Sequence, residues 1–301
     1  MESMSIISRN QLNMKCFGNI GYGAVAVFSC FLACLAVSEE AGAQTLRRAI
    51  DVPDKAVESR WEKNAQGDTE LNYYVNDWCD YYLFRINDRS YDLKPGKNTV
   101  YRKIEGSQSY NPFMRSGSYY RFRGGFPGSF DISVPYALPV RPGAETSWRM
   151  DRRERSRTMN FRMVAGDTVY AVRSGVACLT EDRRLLLVYH NDRTFAAYLM
   201  VAENMTALGE DIRVGQPVGI AGSSGVSLSF FFLDRNKFDG YEAAGYMYTH
   251  FIPVFRTSAG DVRPEEQTVY VSVVDDGLIM QDMSRKEQKR YLREKGRKSG
   301  K

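Results

Sequence analysis

The run GDTVYAVRSGVACL at 166–179 is followed by LLLVYHN at 185–191, TFAAYLMV at 194–201, PVGIAG at 217–222 and SLSFFFLD at 227–234. Each segment is short and rich in β-branched and aromatic residues. Gly166, Gly175, Gly215, Gly219, Gly222 and Gly225 sit between or within them. Glycine punctuation of apolar runs this short predicts successive strands, and no helical period interrupts them. Further strand-like runs follow between Tyr246 and Val274.

Working outward, LNYYVND, DYYLFRIN, NTVYRKI, SYYRFRG and FDISV lie between Glu70 and Val134, separated by KPGKN, EGSQSYNPF and GGFPGS. Tyr, Phe and Val alternate with polar residues, and the turns use Gly, Pro and Asn. This predicts a small antiparallel β-sandwich over 70–134, preceded by a linker over 44–69. PYALPVRPG, from Pro135 to Gly143, is a stiff connector into a second β-rich block expected to run to 280. The Arg-rich segment from Arg149 to Arg157 is a solvated loop or a basic rim facing a ligand.

The chain has 301 residues, 26% charged and 43% hydrophobic, with mean hydropathy −0.42. That composition excludes a multi-span membrane protein, a collagen-like chain and a wholly disordered one. There are 19 Tyr and 16 Phe against 2 His, which argues against a His-rich metal site. The net charge of +5 is uneven. Nine Lys/Arg and two Glu lie between Ser284 and Lys301, so the body is slightly acidic and the 281–301 tail carries the positive charge. A nucleic-acid partner is therefore not expected. An anionic envelope surface is the partner such a tail would meet. Ser284 and Glu287 form a capping-box pattern, which predicts a basic C-terminal helix.

Residues 1–43 read as an export signal. Arg9 and Lys15 precede the apolar run IGYGAVAVFSCFLACLAV, and Ala41-Gly42-Ala43 offers a cleavage site before Gln44. Met14 is an alternative start, and an uncleaved anchor or a lipoprotein at Cys30 or Cys34 remains open. Cleavage would remove Cys16, Cys30 and Cys34 and leave Cys79 and Cys178, either disulfide-bonded or as buried thiols. The sequence contains no Walker A loop, no GxGxxG after a strand, no HExxH and no CxxC. Gly222-Ser223-Ser224-Gly225 lacks the spacing of a nucleophile elbow, and nothing in the spacing supports a triad of Ser224, His190 and Asp192.

Segment by segment, 166–233 resembles the lysostaphin/LytM-type zinc metallopeptidases, a peptidoglycan endopeptidase family. GDTVYAVRSGVA is similar to their G-T-x-V-x-A-x-x-x-G-x-V strand, and LLLVYHNDRTFAAYLMV to their V-x-x-x-H-x-x-x-T-x-x-Y-x-H-L hairpin. IRVGQPVGIAGSSG resembles their V-x-x-G-Q-x-I-G-x-x-G-x-T-G loop, and SLSFFFL stands in the place of H-L-H-F-E. The LPxxxG run at Leu138–Gly143 resembles the connector before their catalytic core. The resemblance implies an all-β chain: an accessory β-sandwich, then an antiparallel LytM-like β-core (a duplicated hybrid motif), then the short helix.

Family members hold zinc through His, Asp and the second His of H-x-H, with two further His assisting. Here Ser227 and Ser229 stand at the H-x-H pair, Met200 at the assisting His of the hairpin, and Asn160 at the liganding Asp. No His precedes His190, which matches a structural family position, and His250 falls beyond the motif. Neutral hydroxyl and amide groups are poor zinc ligands, so no metal or other cofactor is expected. Ser227 and Ser229 alternate on one strand face and should line one shallow cleft with Asn160 and Tyr198. The implied function is non-catalytic: an exported, periplasmic or envelope protein that binds peptidoglycan or regulates a wall hydrolase. The alternatives are an active zinc endopeptidase with its ligands elsewhere, or a purely structural envelope β-protein.

Overall fold

The computed structural model describes residues 46–86, 88–106, 113, 119–151, 157–199, 201–238 and 246–299. The stretch 1–43, expected as an export signal, and Met200 lie outside them. The N-terminal part comprises β1 (Val57–Lys63), β2 (Thr69–Val75), β3 (Tyr81–Phe84), β4 (Tyr91–Leu93), β5 (Gly96–Lys103) and β6 (Tyr120–Arg123). They form two antiparallel three-stranded sheets, ordered β1-β2-β5 and β4-β3-β6. The stretch 44–69, expected as a linker, carries β1, which pairs along its whole length with β2. FDISV, expected as a strand, is a turn. The Asp131 carboxylate accepts from Ser133 N and Oγ at 2.9 and 2.6 Å, a local alternative to a strand ladder.

Next come β7 (Pro135–Tyr136), β8 (Glu145–Thr146), β9 (Trp148–Met150), β10 (Met159–Phe161), β11 (Thr168–Tyr170), β12 (Gly175–Cys178), β13 (Leu186–Tyr189) and β14 (Thr194–Leu199). They are followed by β15 (Glu203–Asn204), β16 (Asp211–Ile212), β17 (Pro217–Ile220), β18 (Val226–Leu233), β19 (Tyr248–His250), β20 (Val254–Thr257), β21 (Gly260–Val262) and β22 (Tyr270–Val271). The eight-stranded central sheet runs β16-β12-β13-β14-β18-β10-β9, with β19 also on β18. All of its neighbouring strands are antiparallel. Short helices α1 (Asp276–Met280) and α2 (Arg285–Ser299) close the described chain, and the fold is all-β as the apolar patterning predicts.

The Phe230-Phe231-Phe232 run makes both faces of β18 apolar. Phe231 packs into a cluster with Leu71, Tyr81, Leu83, Phe195 and Leu199, so the N-terminal sheets and one face of the central sheet share a core. Phe230 faces the opposite cluster with Phe161, Tyr198, Leu228 and Phe255. Gly225 sets the start of β18. Its φ is +81°, and a Cβ there would lie 2.2 Å from the Phe161 carbonyl oxygen, so only glycine lets β18 approach β10 this closely.

The C-terminal helix forms as the capping box predicts. Ser284 N and Oγ donate to Glu287 Oε2 at 2.8 and 2.6 Å. Rather than extending freely, α2 is tethered. Tyr291 OH and Lys295 Nζ reach Asp276, and Gln288 Nε2 donates to the Met280 and Met283 carbonyls.

Candidate functional site

Along one edge of β18, the partner strand changes. β10 pairs with Val226–Leu228, and β19 pairs with Phe231–Leu233. Ser229 falls in the gap between the two ladders. Asn160 lies opposite Ser227 in the β10–β18 register, and its Nδ2 donates to Ser227 Oγ at 3.0 Å. The structure therefore brings Asn160, Ser227 and Ser229 to one face of β18, as alternation requires. It does not present them as an open cleft, because Ser227 is 8% exposed and Ser229 is fully buried.

Two expected groove residues lie elsewhere. Tyr198 is opposite Leu228, and residues opposite one another in an antiparallel pair share a face. Its ring therefore joins Leu228 and Phe230 on the other side of the sheet, where its hydroxyl accepts from Val172 N at 2.8 Å. His190 follows the end of β13, where its N–H donates to Thr194 O, and Thr194 lies opposite Phe232 near the far end of β18. Its Nδ1 meets the Ser174 carbonyl at 2.7 Å, and it lines a separate hollow with Asp80, Lys94 and Arg193. Burial first, then the neighbouring Arg173 guanidinium, pushes the His190 imidazole down to about 4.

The residue that sequence reading set aside is the one the fold delivers. His250 closes β19, and its Nδ1 lies 3.0 Å from Ser229 Oγ. Ser229 Oγ donates its single proton to the Arg157 carbonyl at 2.7 Å. Toward His250 it can only accept, so Nδ1 carries the imidazole proton. Nε2 is then the acceptor for the Tyr246 hydroxyl. The result is a one-directional chain from Tyr246 OH through His250 and Ser229 to the Arg157 backbone. The Arg157 guanidinium also lies over the Tyr246 ring, 3.9 Å from its centre. Burial, with Arg157 and Lys237 nearby, pushes the His250 imidazole down to about 3.

This polarity has chemical consequences. A histidine acting as a general base for a serine must accept the hydroxyl proton. Here His250 donates to Ser229, whose hydroxyl is turned away and buried. A catalytic zinc needs three N, S or carboxylate ligands and an open position. The site supplies one imidazole with both nitrogens engaged, two seryl hydroxyls, one amide and two nearby cations. These groups do not fit zinc. Among the described residues, the His, Cys, Asp and Glu side chains converge in a group of three only at Asp77, Cys79 and Cys178, in the first apolar cluster.

No family model matches the chain, and no curated protein matches it. Among solved structures, the hexagonal crystal form of Helicobacter pylori Csd3 is similar at 12% identity and a TM-score of 0.23, over 55% of this chain and 44% of that one. The orthorhombic form matches at 12% identity and a TM-score of 0.25, over 77% of this chain and 59% of that one. The chain thus spans roughly half the length of the structures it matches. A likeness this loose assigns neither a fold family nor an activity.

Proposed function

We propose that this chain is an exported, non-catalytic cell-envelope protein that binds peptidoglycan or regulates a wall hydrolase. The observation that carries the reading is the hydrogen-bonded chain Tyr246–His250–Ser229–Arg157 beside Asn160–Ser227. Asn160, Ser227 and Ser229 are the residues that the resemblance aligns with a zinc-liganding Asp and the H-x-H pair, and their polar groups are bonded to one another, to His250 or to the Arg157 carbonyl. Exported family members act on wall peptides, so a member without metal chemistry retains recognition as its role. The basic helix supplies the second element. Arg285, Lys286, Lys289, Arg290, Arg293 and Arg297 are exposed on α2, a cationic surface suited to anionic wall polymers or lipid headgroups.

Co-sedimentation with purified peptidoglycan sacculi tests this reading. The protein should pellet with sacculi at low and at physiological salt. Each tail cation near an anionic surface is worth about 1 kcal/mol and is screened by salt, so the tail's share should fade as salt rises. Deleting Arg285 to Lys301 should remove only that salt-sensitive share. A protein that stays in the supernatant at all salt concentrations, with and without a wall hydrolase present, would leave the structural alternative in place of this one.

A further inference from the structure

We infer that Cys79 and Cys178 are disulfide partners, a covalent tie between the turn after β2 and the end of β12. The two are about a hundred residues apart in sequence, yet the fold brings them together inside the first apolar cluster. Their thiol sulfurs and an Asp77 carboxylate oxygen all lie within 4.8 Å of one another. Both cysteines are buried, at 0% and 5% exposure, and both are free thiols in this structure.

A metal is the competing use of this cluster, and Asp77 argues against it. Its Oδ1 accepts from Trp78 N and Leu179 N at 2.7 and 2.8 Å. Its Oδ2 accepts from Arg123 Nη2, Tyr81 OH and the Cys79 thiol at 2.6, 2.7 and 3.4 Å. A carboxylate holding that many donors has no lone pair for a cation, and the Arg123 guanidinium already supplies the positive charge. Two thiols alone are too few for a zinc site. What remains is a pair of sulfurs able to bond to each other.

The chemistry balances with a small disulfide as the oxidant, such as oxidised glutathione. One thiol loses its proton and attacks the oxidant, giving a mixed disulfide and one glutathione thiolate. The second thiol, also deprotonated, displaces the second glutathione. Two S–H bonds are replaced by one S–S bond, and the electron pair reduces the oxidant to two thiols. Burial pushes the Cys178 thiol up, so the closed fold disfavours the thiolate that must attack. The bond should therefore form readily during folding and slowly in the folded, reduced protein. The inference rests on this geometry and stands apart from the envelope reading.

The test refolds the full-length chain with oxidised glutathione, blocks remaining thiols and maps tryptic peptides without reduction. The expected species joins peptide 64–85, which contains Cys79, to peptide 174–183, which contains Cys178. Closing a loop this long should raise Tm by about 10 °C over the dithiothreitol-treated protein. The C79S/C178S double variant should show neither the joined peptide nor the Tm difference. Complete alkylation of both cysteines after oxidative refolding would overturn the inference. So would joining of either one to Cys16, Cys30 or Cys34, or one equivalent of zinc in the reduced protein that the double variant loses.

Discussion

Arg123→Met should destabilise the fold by about 3–5 kcal/mol, the cost of breaking a buried ion pair from one side. Arg123 is 1% exposed at the end of β6. Its guanidinium donates to Asp77 Oδ2 at 2.6 Å, to the Ala49 carbonyl at 3.1 Å and to the Leu179 carbonyl. Its backbone N–H and C=O are both bonded to the Tyr248 hydroxyl. The side chain thus ties β6 to three other chain segments, and the backbone of the same residue ties it to β19. Burial alone would push the Asp77 carboxyl up, but the Arg123 charge and the Leu179 N–H hold it below its ordinary value. Methionine fills the volume and leaves Asp77 buried and uncompensated. Denaturant unfolding measures the loss, and Asp77→Asn in the same chain should restore part of it, because the two changes share one contact. A loss below about 1 kcal/mol would mean that water reaches the pair.

Acid should remove a comparable amount of stability well above the carboxylate range. In the unfolded chain both histidines take up a proton near pH 6.5. In the folded chain His190 resists until about 4 and His250 until about 3. Between those limits the unfolded state binds more protons, so stability is complete above about pH 6.5 and falls as pH drops toward the folded values. Shifts of this size correspond to roughly 3–5 kcal/mol for each histidine, a large part of the stability of an ordinary domain. The charges around them fix the direction. Arg173 opposes protonation of His190 against Asp192 and Asp282, and Arg157 and Lys237 oppose protonation of His250. Unfolding midpoints should stay level from pH 8 to about pH 6.5 and fall steadily from there to pH 4, and His190→Gln and His250→Gln should each flatten the fall. A flat profile from pH 7 to pH 5 would show that neither imidazole is held neutral.

The strands of the central sheet were readable because they depend on local pattern. Short β-branched runs between glycines gave β12, β13, β14, β17 and β18, and alternation placed Ser227 and Ser229 on one face. Tyr198 could not be placed the same way. Its face depends on the β14–β18 register, and a shift of one residue inverts it. His250 was invisible as a site residue because β19 reaches Ser229 only by pairing with the unoccupied edge of β18. Its motif position says nothing of that. Arg123 sits in SYYRFRG, where it reads as an outward strand charge, and only the tertiary meeting with Asp77 makes it the buried partner. Cys79 and Cys178 were ambiguous for the same reason, since spacing carries no information about proximity across a hundred residues.

We propose that the β10–β18–β19 junction binds no zinc, because its imidazole, hydroxyl and amide groups are a poor ligand set. Equilibrium dialysis against zinc is the most direct measurement, made on the C79S/C178S chain so that the buried thiols contribute nothing. The expected result is no stoichiometric zinc at neutral pH, and no change when His250 is replaced by alanine. One equivalent of bound zinc that disappears in His250→Ala would contradict the account and restore the metallopeptidase reading.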